Sequence, residues 1–254
     1  MKKIFLILFS ILMLFESSTL CYAQNNEISW YINFNKSVPN SQPTIPREAS
    51  FINEYSTISI GNNNEKCIYL TFDAGYENGN VEKTLDILKK HDINAAFFIL
   101  PHLITDSTEL VLRMKNEGHL ICNHSKSHKN MSKYGNDAFA DELLSANEIL
   151  KEYAGFEMDK FYRPPEGRFS QDNLECAQKL GYTTVFWSLA HADWDNEKQP
   201  APEKALNLLL SRVHNGCVLL LHPTSSTNVA ILDELITTLK KDGYVFKSLC
   251  DFTR

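Results

Sequence analysis

The sequence has no excess of positive charge. Its 254 residues carry 25 Lys and Arg against 31 Asp and Glu, a formal net charge of −6 at pH 7. Proteins that grip nucleic acid usually show a basic face, so no nucleic-acid partner is expected. Cysteine is sparse, six in all, and no two stand in C-x-x-C spacing, so neither a zinc ribbon nor a redox dithiol is supported. No G-x-G-x-x-G follows the first strand-like run, which disfavours a dinucleotide site. Long apolar runs are missing apart from Ile4 to Phe15, about a dozen residues and too short to span a bilayer comfortably. Composition excludes collagen, disorder and a disulfide-dense mini-protein. With 43% hydrophobic and 22% charged residues, it suits one large domain, or a domain with an extension.

The apolar run has the setting of a secretory signal. Lys2 and Lys3 precede it, and Cys21-Tyr22-Ala23 puts small residues at the two positions a signal peptidase reads. Residues 1–23 are expected to be a cleaved signal peptide, with an uncleaved anchor as the alternative. Export across the cytoplasmic membrane follows. Cys67, Cys122, Cys176, Cys217 and Cys250 then remain, an odd number that cannot all pair. Four of them lie inside strand or helix patterns and read as small buried hydrophobes. Residues 24–65 read as a mostly irregular N-terminal extension, with Pro39, Pro43 and Pro46 among polar residues. Trp30, Tyr31, Phe34 and Phe51 argue that part of it docks.

From Cys67 a pattern repeats. Strand-like runs occur at about 67–72, 93–99, 119–123, 160–163, 183–188, 216–221 and 244–248, separated by helical patterns. Asp106-Ser107-Thr108-Glu109 reads as a capping box. Gly118 and Gly155 read as helix ends, and Pro202 as the first residue of a helix running to Gly216. Seven strands alternating with six helices imply an α/β fold with a parallel sheet, open or closed. The placement of polar residues selects a barrel. Asp73 follows the first strand, Asn123, His124 and His128 the third, and Arg163 the fourth. Asp193 follows the fifth and His222 the sixth. Barrel enzymes work at that carboxyl-end face.

Each of these residues has a plain reading and a chemical one. Asp73 could merely cap its turn. His124 and His128, four apart just past a strand, could grip one ion, although the spacing alone is common by chance. Arg163, beside the rigid Pro164-Pro165 turn, is either a loop cap or the cation that keeps a carboxylate ionised. Asp193 beside His222 could orient the ring and raise its pKa, making a general acid. Trp194 is core, or a platform for a sugar face.

Taken in order, Thr71-Phe72-Asp73, His124-Ser125-x-x-His128, Arg163-x-Pro165, Asp193-Trp194 and Leu220-x-His222 resemble the five motifs of the polysaccharide deacetylases with the NodB-homology domain. Residues 66–254 are assigned to that domain. The resemblance implies a distorted (β/α)7 barrel that removes acetyl groups from chitin-like and cell-wall sugars. Gly75-Tyr76-Glu77-Asn78-Gly79 and Val185-Phe186-Trp187-Ser188 look like the branch that leads to muramic δ-lactam in spore cortex. That branch acts on muramic residues already stripped of peptide. The resemblance makes Asp73 the general base and His222 the general acid, with Arg163 and Asp193 as their partners. It makes His124 and His128 ligands to a divalent ion, zinc, cobalt or manganese. Substrate would lie against Trp194, Leu220, Glu166 and Tyr76, with the acetyl methyl near Leu220 and the oxyanion near the Glu166 backbone N–H. The expected partner is a peptidoglycan glycan strand, met by a monomer in the cell envelope or in the space around the developing spore. One position departs from the family: the second Asp of T-F-D-D, a metal ligand, is Ala74 here. The ion is therefore expected to bind weakly. The alternatives are an N-acetylglucosamine or chitin-type deacetylase and a non-catalytic glycan binder on the same barrel. Gly75 to Gly79 disfavours the first, and the intact acid and base disfavour the second.

Overall fold

Along Cys67–Ala74 the side chains alternate, and the alternation builds two cores. Cys67 and Tyr69 pack with Ala96, Phe98, Cys122, Val185 and Val218. Ile68, Leu70, Phe72 and Ala74 pack on the other face with Leu85, Leu88, Leu232 and Leu235. A strand has period two, so Thr71 and Asp73 continue the first face. A strand buried on both faces belongs in a parallel sheet covered by helices.

A computed structural model describes residues 26–35 and 37–254; the signal peptide expected at 1–23 lies outside them. In chain order the regular elements are β1 (Ile28–Ser29), β2 (Thr57–Ile58), β3 (Cys67–Ala74), α1 (Val81–Lys90), β4 (Ala96–Ile99), α2 (Pro101–Asp106), α3 (Thr108–Asn116), β5 (Leu120–Asn123), α4 (Asn136–Ala154), β6 (Asp159–Tyr162), β7 (Arg168–Phe169), α5 (Gln171–Lys179), β8 (Thr183–Val185), α6 (Pro202–Arg212), β9 (Cys217–Leu221), α7 (Ser226–Lys241) and β10 (Val245–Phe246). The large sheet runs β10-β3-β4-β5-β6-β8-β2, and β9 also pairs with β3; every pairing in it is parallel. Past β8, Leu189 forms a parallel bridge to Leu219 of β9. The circuit from β3 through β8 and β9 back to β3 therefore curls on itself, the distorted barrel that the family resemblance implies. All seven strand runs expected from Cys67 onward are strands.

Two helix details differ from expectation. The capping box read at Asp106–Glu109 does not form, because Ser107 makes no side-chain cap bond to α3. The short helix α2, opened by Pro101, ends directly before it, and the Ser107 N–H donates to Leu103 O. A true capping box stands at Ser170 and Asn173, at the start of α5. Helix α6 stops at Arg212 rather than reaching Gly216.

The described residues from 26 to 65 are largely irregular, as expected of the extension, yet they are woven into the barrel. Strand β2 extends the sheet beside β8. Trp30 is buried, stacks on Phe186 at 4.3 Å and donates its indole N–H to Trp187 O at 2.9 Å. The Gly61 N–H donates to Gly216 O at 2.8 Å. Gly216 has φ +67, and a Cβ there would collide with the Gly61 backbone, so the approach needs glycine on both counts.

Candidate active site

Strand alternation aims Asp73 into the mouth of the barrel. Its Oδ1 accepts from Arg163 Nη1 at 2.7 Å. Arg163 follows β6 and is fully buried. Its Nη2 donates to Thr71 Oγ1 at 2.8 Å and to Phe186 O at 3.3 Å, and its Nε to Val185 O at 3.1 Å. The guanidinium also lies 4.2 Å from the Phe98 ring centroid. Burial favours a neutral Asp73 carboxyl. The Arg163 charge, helped by His124 and His222, outweighs it and holds Asp73 below the usual carboxylate range. Arg163 is thus the buried partner of Asp73 and not a surface loop cap.

The second pair is assembled from two loops. Asp193 lies well past β8, and His222 directly follows β9. Asp193 Oδ1 accepts from His222 Nδ1 at 2.8 Å, and Oδ2 accepts the His222 backbone N–H at 2.8 Å. The ring is thereby fixed with Nε2 free for chemistry. Burial alone would lower the His222 pKa, but the Asp193 hydrogen bond and charge, with the charge of Asp73, raise it above the ordinary histidine value.

The segment that suggested the muramic branch has a structural job. Glu77 accepts the N–H groups of Gly79 at 2.7 Å and Val81 at 3.0 Å, closing the first turn of α1. Asn78 and Asn80 each donate to Thr224 O at 2.9 Å. The loop after Asp73 is so tied to the loop after His222. Tyr76, expected to bind substrate, is half exposed and does not line the cleft; its hydroxyl accepts from Asn196 Nδ2 at 2.5 Å.

His124 and His128 face each other with ring centroids 4.9 Å apart. His124 Nδ1 lies 2.9 Å from Arg163 O, and a carbonyl only accepts, so the proton sits on Nδ1. Burial, opposed by Asp73, pushes the His124 pKa down to about 4, so the ring is neutral near pH 7. Its Nε2 lone pair then faces Asp73 Oδ2 at 3.6 Å. Two acceptors facing each other with no proton between them suit a cation. The loop that carries His128 is held by Glu142, which accepts from Lys126 N, Ser127 N and Ser127 Oγ at 3.0, 2.8 and 2.7 Å. Ser125 and His128 both have positive φ, a strained state that such bonds sustain. The donor set fits a divalent ion held by two imidazoles. Among the described residues no group of three or more His, Cys, Asp or Glu stands ready to hold a metal. Ala74 is fully buried and belongs to the apolar face of β3, opposite Asp73.

A cleft of about 740 Å³ joins these groups. Asp73, His124, His128, Glu166, Trp194, Leu220 and His222 line it, while Arg163 and Asp193 stand behind it. Trp194 is 64% exposed, a rim residue and not core. Glu166 has φ 57, and its carboxylate pairs with Arg168 Nε at 3.0 Å. Sequence reasoning missed part of the wall. Trp30, Tyr31, Ile32 and Phe34 from the extension line the cleft, as do Trp187 and His191. A Cβ on Gly167 would meet Trp187 at 2.7 Å and Trp30 at 3.0 Å, so this side of the cleft is packed to the backbone. Asn228, which contacts Asp193 and His222, was missed as well; an Asn near a helix start signals no more than a cap.

The family described as Polysaccharide deacetylase matches residues 60–185. The peptidoglycan-N-acetylmuramic acid deacetylase PdaA of Bacillus subtilis is 42% identical over 228 residues, covering 89% of this chain and 86% of that protein. A peptidoglycan-N-acetylglucosamine deacetylase of Bacillus cereus is 33% identical over 204 residues, covering 79% and 73%. The solved structure of Bacillus subtilis PdaA, described as a family 4 carbohydrate esterase, matches with a TM-score of 0.85 at 41% identity, over 90% of this chain and 97% of that one.

Proposed function

The chain belongs to the polysaccharide deacetylase family, and from that premise we propose that it hydrolyses the acetamide of N-acetylmuramic acid in peptidoglycan. The freed amine can then close on the lactyl carboxyl with loss of water, giving the muramic δ-lactam of spore cortex. The observation that carries the chemistry is the meeting of two buried pairs, Asp73–Arg163 and Asp193–His222, at one cleft.

Asp73, kept ionised by Arg163, takes a proton from the attacking water. The oxygen adds to the acetyl carbonyl carbon and gives a tetrahedral intermediate without an acyl-enzyme. The Glu166 backbone N–H is the proposed oxyanion donor, since Pro165 has none to offer. His222, held by Asp193, delivers a proton from Nε2 to the leaving nitrogen as the C–N bond breaks. Acetate and the amine are the products. Leu220 would receive the acetyl methyl, and Trp194 would meet a sugar face. Deacetylases of this family are generally metal-dependent. A divalent ion, when bound at His124 and His128, supplies Lewis acidity toward the water and the carbonyl oxygen. Among the described residues no helix is long and apolar enough to cross a membrane. We place the enzyme in the cell envelope or the space around the developing spore, acting as a monomer on glycan strands.

The test is incubation with peptide-free cell-wall glycan, followed by mass spectrometry. Muramic residues should lose acetyl and then water, while peptide-bearing strands react poorly. Deacetylation of N-acetylglucosamine units alone, in chitin oligomers as readily as in cell wall, would refute the muramic assignment.

A further inference from the structure

Asp193 and His222 rise from segments that follow two different strands, and Asp193 lies on a loop away from the sheet. Asn228, buried in the first turn of α7, touches both. Its Nδ2 donates to Asp193 Oδ2 at 2.5 Å and to His222 O at 3.0 Å. Both partners can only accept, so the amide nitrogen must face them and the amide oxygen must face away. There Oδ1 lies 2.8 Å from His191 Nε2, which also stands 3.6 Å from Asp193 Oδ2, beyond hydrogen-bond reach. An amide oxygen also only accepts, so His191 carries a proton on Nε2. The Asn228 backbone N–H donates to Ser225 Oγ at 3.1 Å. The Ser225 hydroxyl bonds in turn to Gln199 Oε1, and Gln199 Nε2 donates to Asp193 O at 2.8 Å. Every polar atom of the Asn228 side chain is committed, and the amide cannot flip without breaking all three bonds.

We propose that Asn228 is the positioning residue of the Asp193–His222 pair, and that His191 locks its amide in the orientation this needs. The inference rests on the reading of His222 as proton donor. Asp193 offers Oδ1 to the His222 ring and Oδ2 to the His222 N–H and to Asn228. The carboxylate torsion is soft. With Asn228 gone, Oδ2 keeps a single donor of that pair, and the plane that aims the ring can turn. A displacement of about 1 Å at such a place can cost about 10²-fold in rate.

The experiment compares Asn228→Ala, Asn228→Asp, His191→Phe and His191→Gln. It measures acetate release from peptide-free cell-wall glycan, and the downfield Nδ1 proton resonance of His222 by NMR without substrate. Asn228→Ala should lower kcat about 10- to 100-fold, with KM within about twofold, and shift or broaden the His222 resonance. Asn228→Asp has the same shape but turns a carboxylate on two acceptors, so it should fall at least as far. His191→Gln can still donate to Asn228 and should keep more kcat than His191→Phe. A role in packing alone predicts that the isosteric Asp outperforms Ala and leaves the resonance in place. An unchanged kcat or an unchanged resonance in folded Asn228→Ala overturns the proposal. If that variant does not fold, equal kcat and equal resonances in the two His191 variants overturn it. Absence of acetate release by the wild type would sink the functional reading, while the resonance would still decide the role of Asn228.

Discussion

Replacing Arg163 with Met should cost the fold as well as the reaction. The guanidinium nitrogen stands 2.7 Å from Asp73 Oδ1. At an effective dielectric of about 20 that contact is worth about 6 kcal/mol of attraction. Removing Arg163 also removes the cost of burying it, and breaking a buried pair by deleting one partner typically costs about 3–5 kcal/mol net. Val185 O and Phe186 O lose a donor at the same time. A domain has only about 5–15 kcal/mol in hand, so the variant should sit near the edge of folding. Asp73→Asn alone should also destabilise, because it leaves the Arg163 charge buried without its counter-ion. The double variant Asp73→Asn/Arg163→Met should then lose less than the sum, by about 2–3 kcal/mol. Guanidinium unfolding of the four proteins measures the cycle. The pH dependence adds a sign. In the wild type the Asp73 pKa is depressed below 3.8, so its stabilisation is present above 3.8 and is lost as pH falls through the depressed value. In Arg163→Met burial dominates and the pKa rises, so Asp73 destabilises as pH rises through it. Single costs that add to within about 0.5 kcal/mol, or the same Asp73 slope in both proteins, would refute this reasoning.

Four further outcomes follow from the site. Asp73→Asn and His222→Ala, assayed under conditions where circular dichroism shows each variant folded, should each lower turnover by at least about 10²-fold; most of the activity surviving in either would sink the assigned roles. His222 must be protonated to act, so activity should fall as pH rises through its raised pKa, above 6.5. Asp193→Asn leaves burial to lower that pKa and should move the alkaline limb of kcat to lower pH; an unmoved limb would assign it to another group. Zinc should bind at micromolar strength or weaker by calorimetry, because two protein nitrogens are fewer than the three ligands of a tight catalytic site. A tight stoichiometric site would mean that a further ligand joins His124 and His128. Ala74→Asp should lower Tm, since Ala74 lies fully buried in an apolar cluster.

Much of the architecture was readable because it is local. Seven runs of strand character, the first six each followed by a helical period, carry the parallel sheet and its order of βα units. The carboxyl ends of those runs and the loops past them hold Asp73, His124, Arg163, Asp193 and His222, so the chain alone named the candidate positions for the chemistry. Short-range patterning could not tell the false capping box at Ser107 from the true one at Ser170. Their difference lies in what precedes them: a second helix in one case, an extended residue in the other.

Tertiary structure decided what local patterns cannot encode. Nothing near Trp30 says that it will stack on Phe186, or that Tyr31 and Phe34 will wall the cleft, because those contacts cross more than 100 residues of chain. Gly75 to Gly79 marked a branch of the family in the sequence; the folded chain uses the segment as a strap onto Thr224, with Tyr76 outside the cleft. At position 74 this chain has Ala where the family pattern has a carboxylate; only the packed core shows that its Cβ lies among apolar side chains. Asn228 carries no motif, yet it joins Asp193, His222 and His191. The sequence alone determined which residues could do the chemistry, since residue type and strand period are properties of neighbouring positions. The barrel's closure determined which of them meet, since hydrogen bonds and buried charges depend on distances that only the folded chain sets.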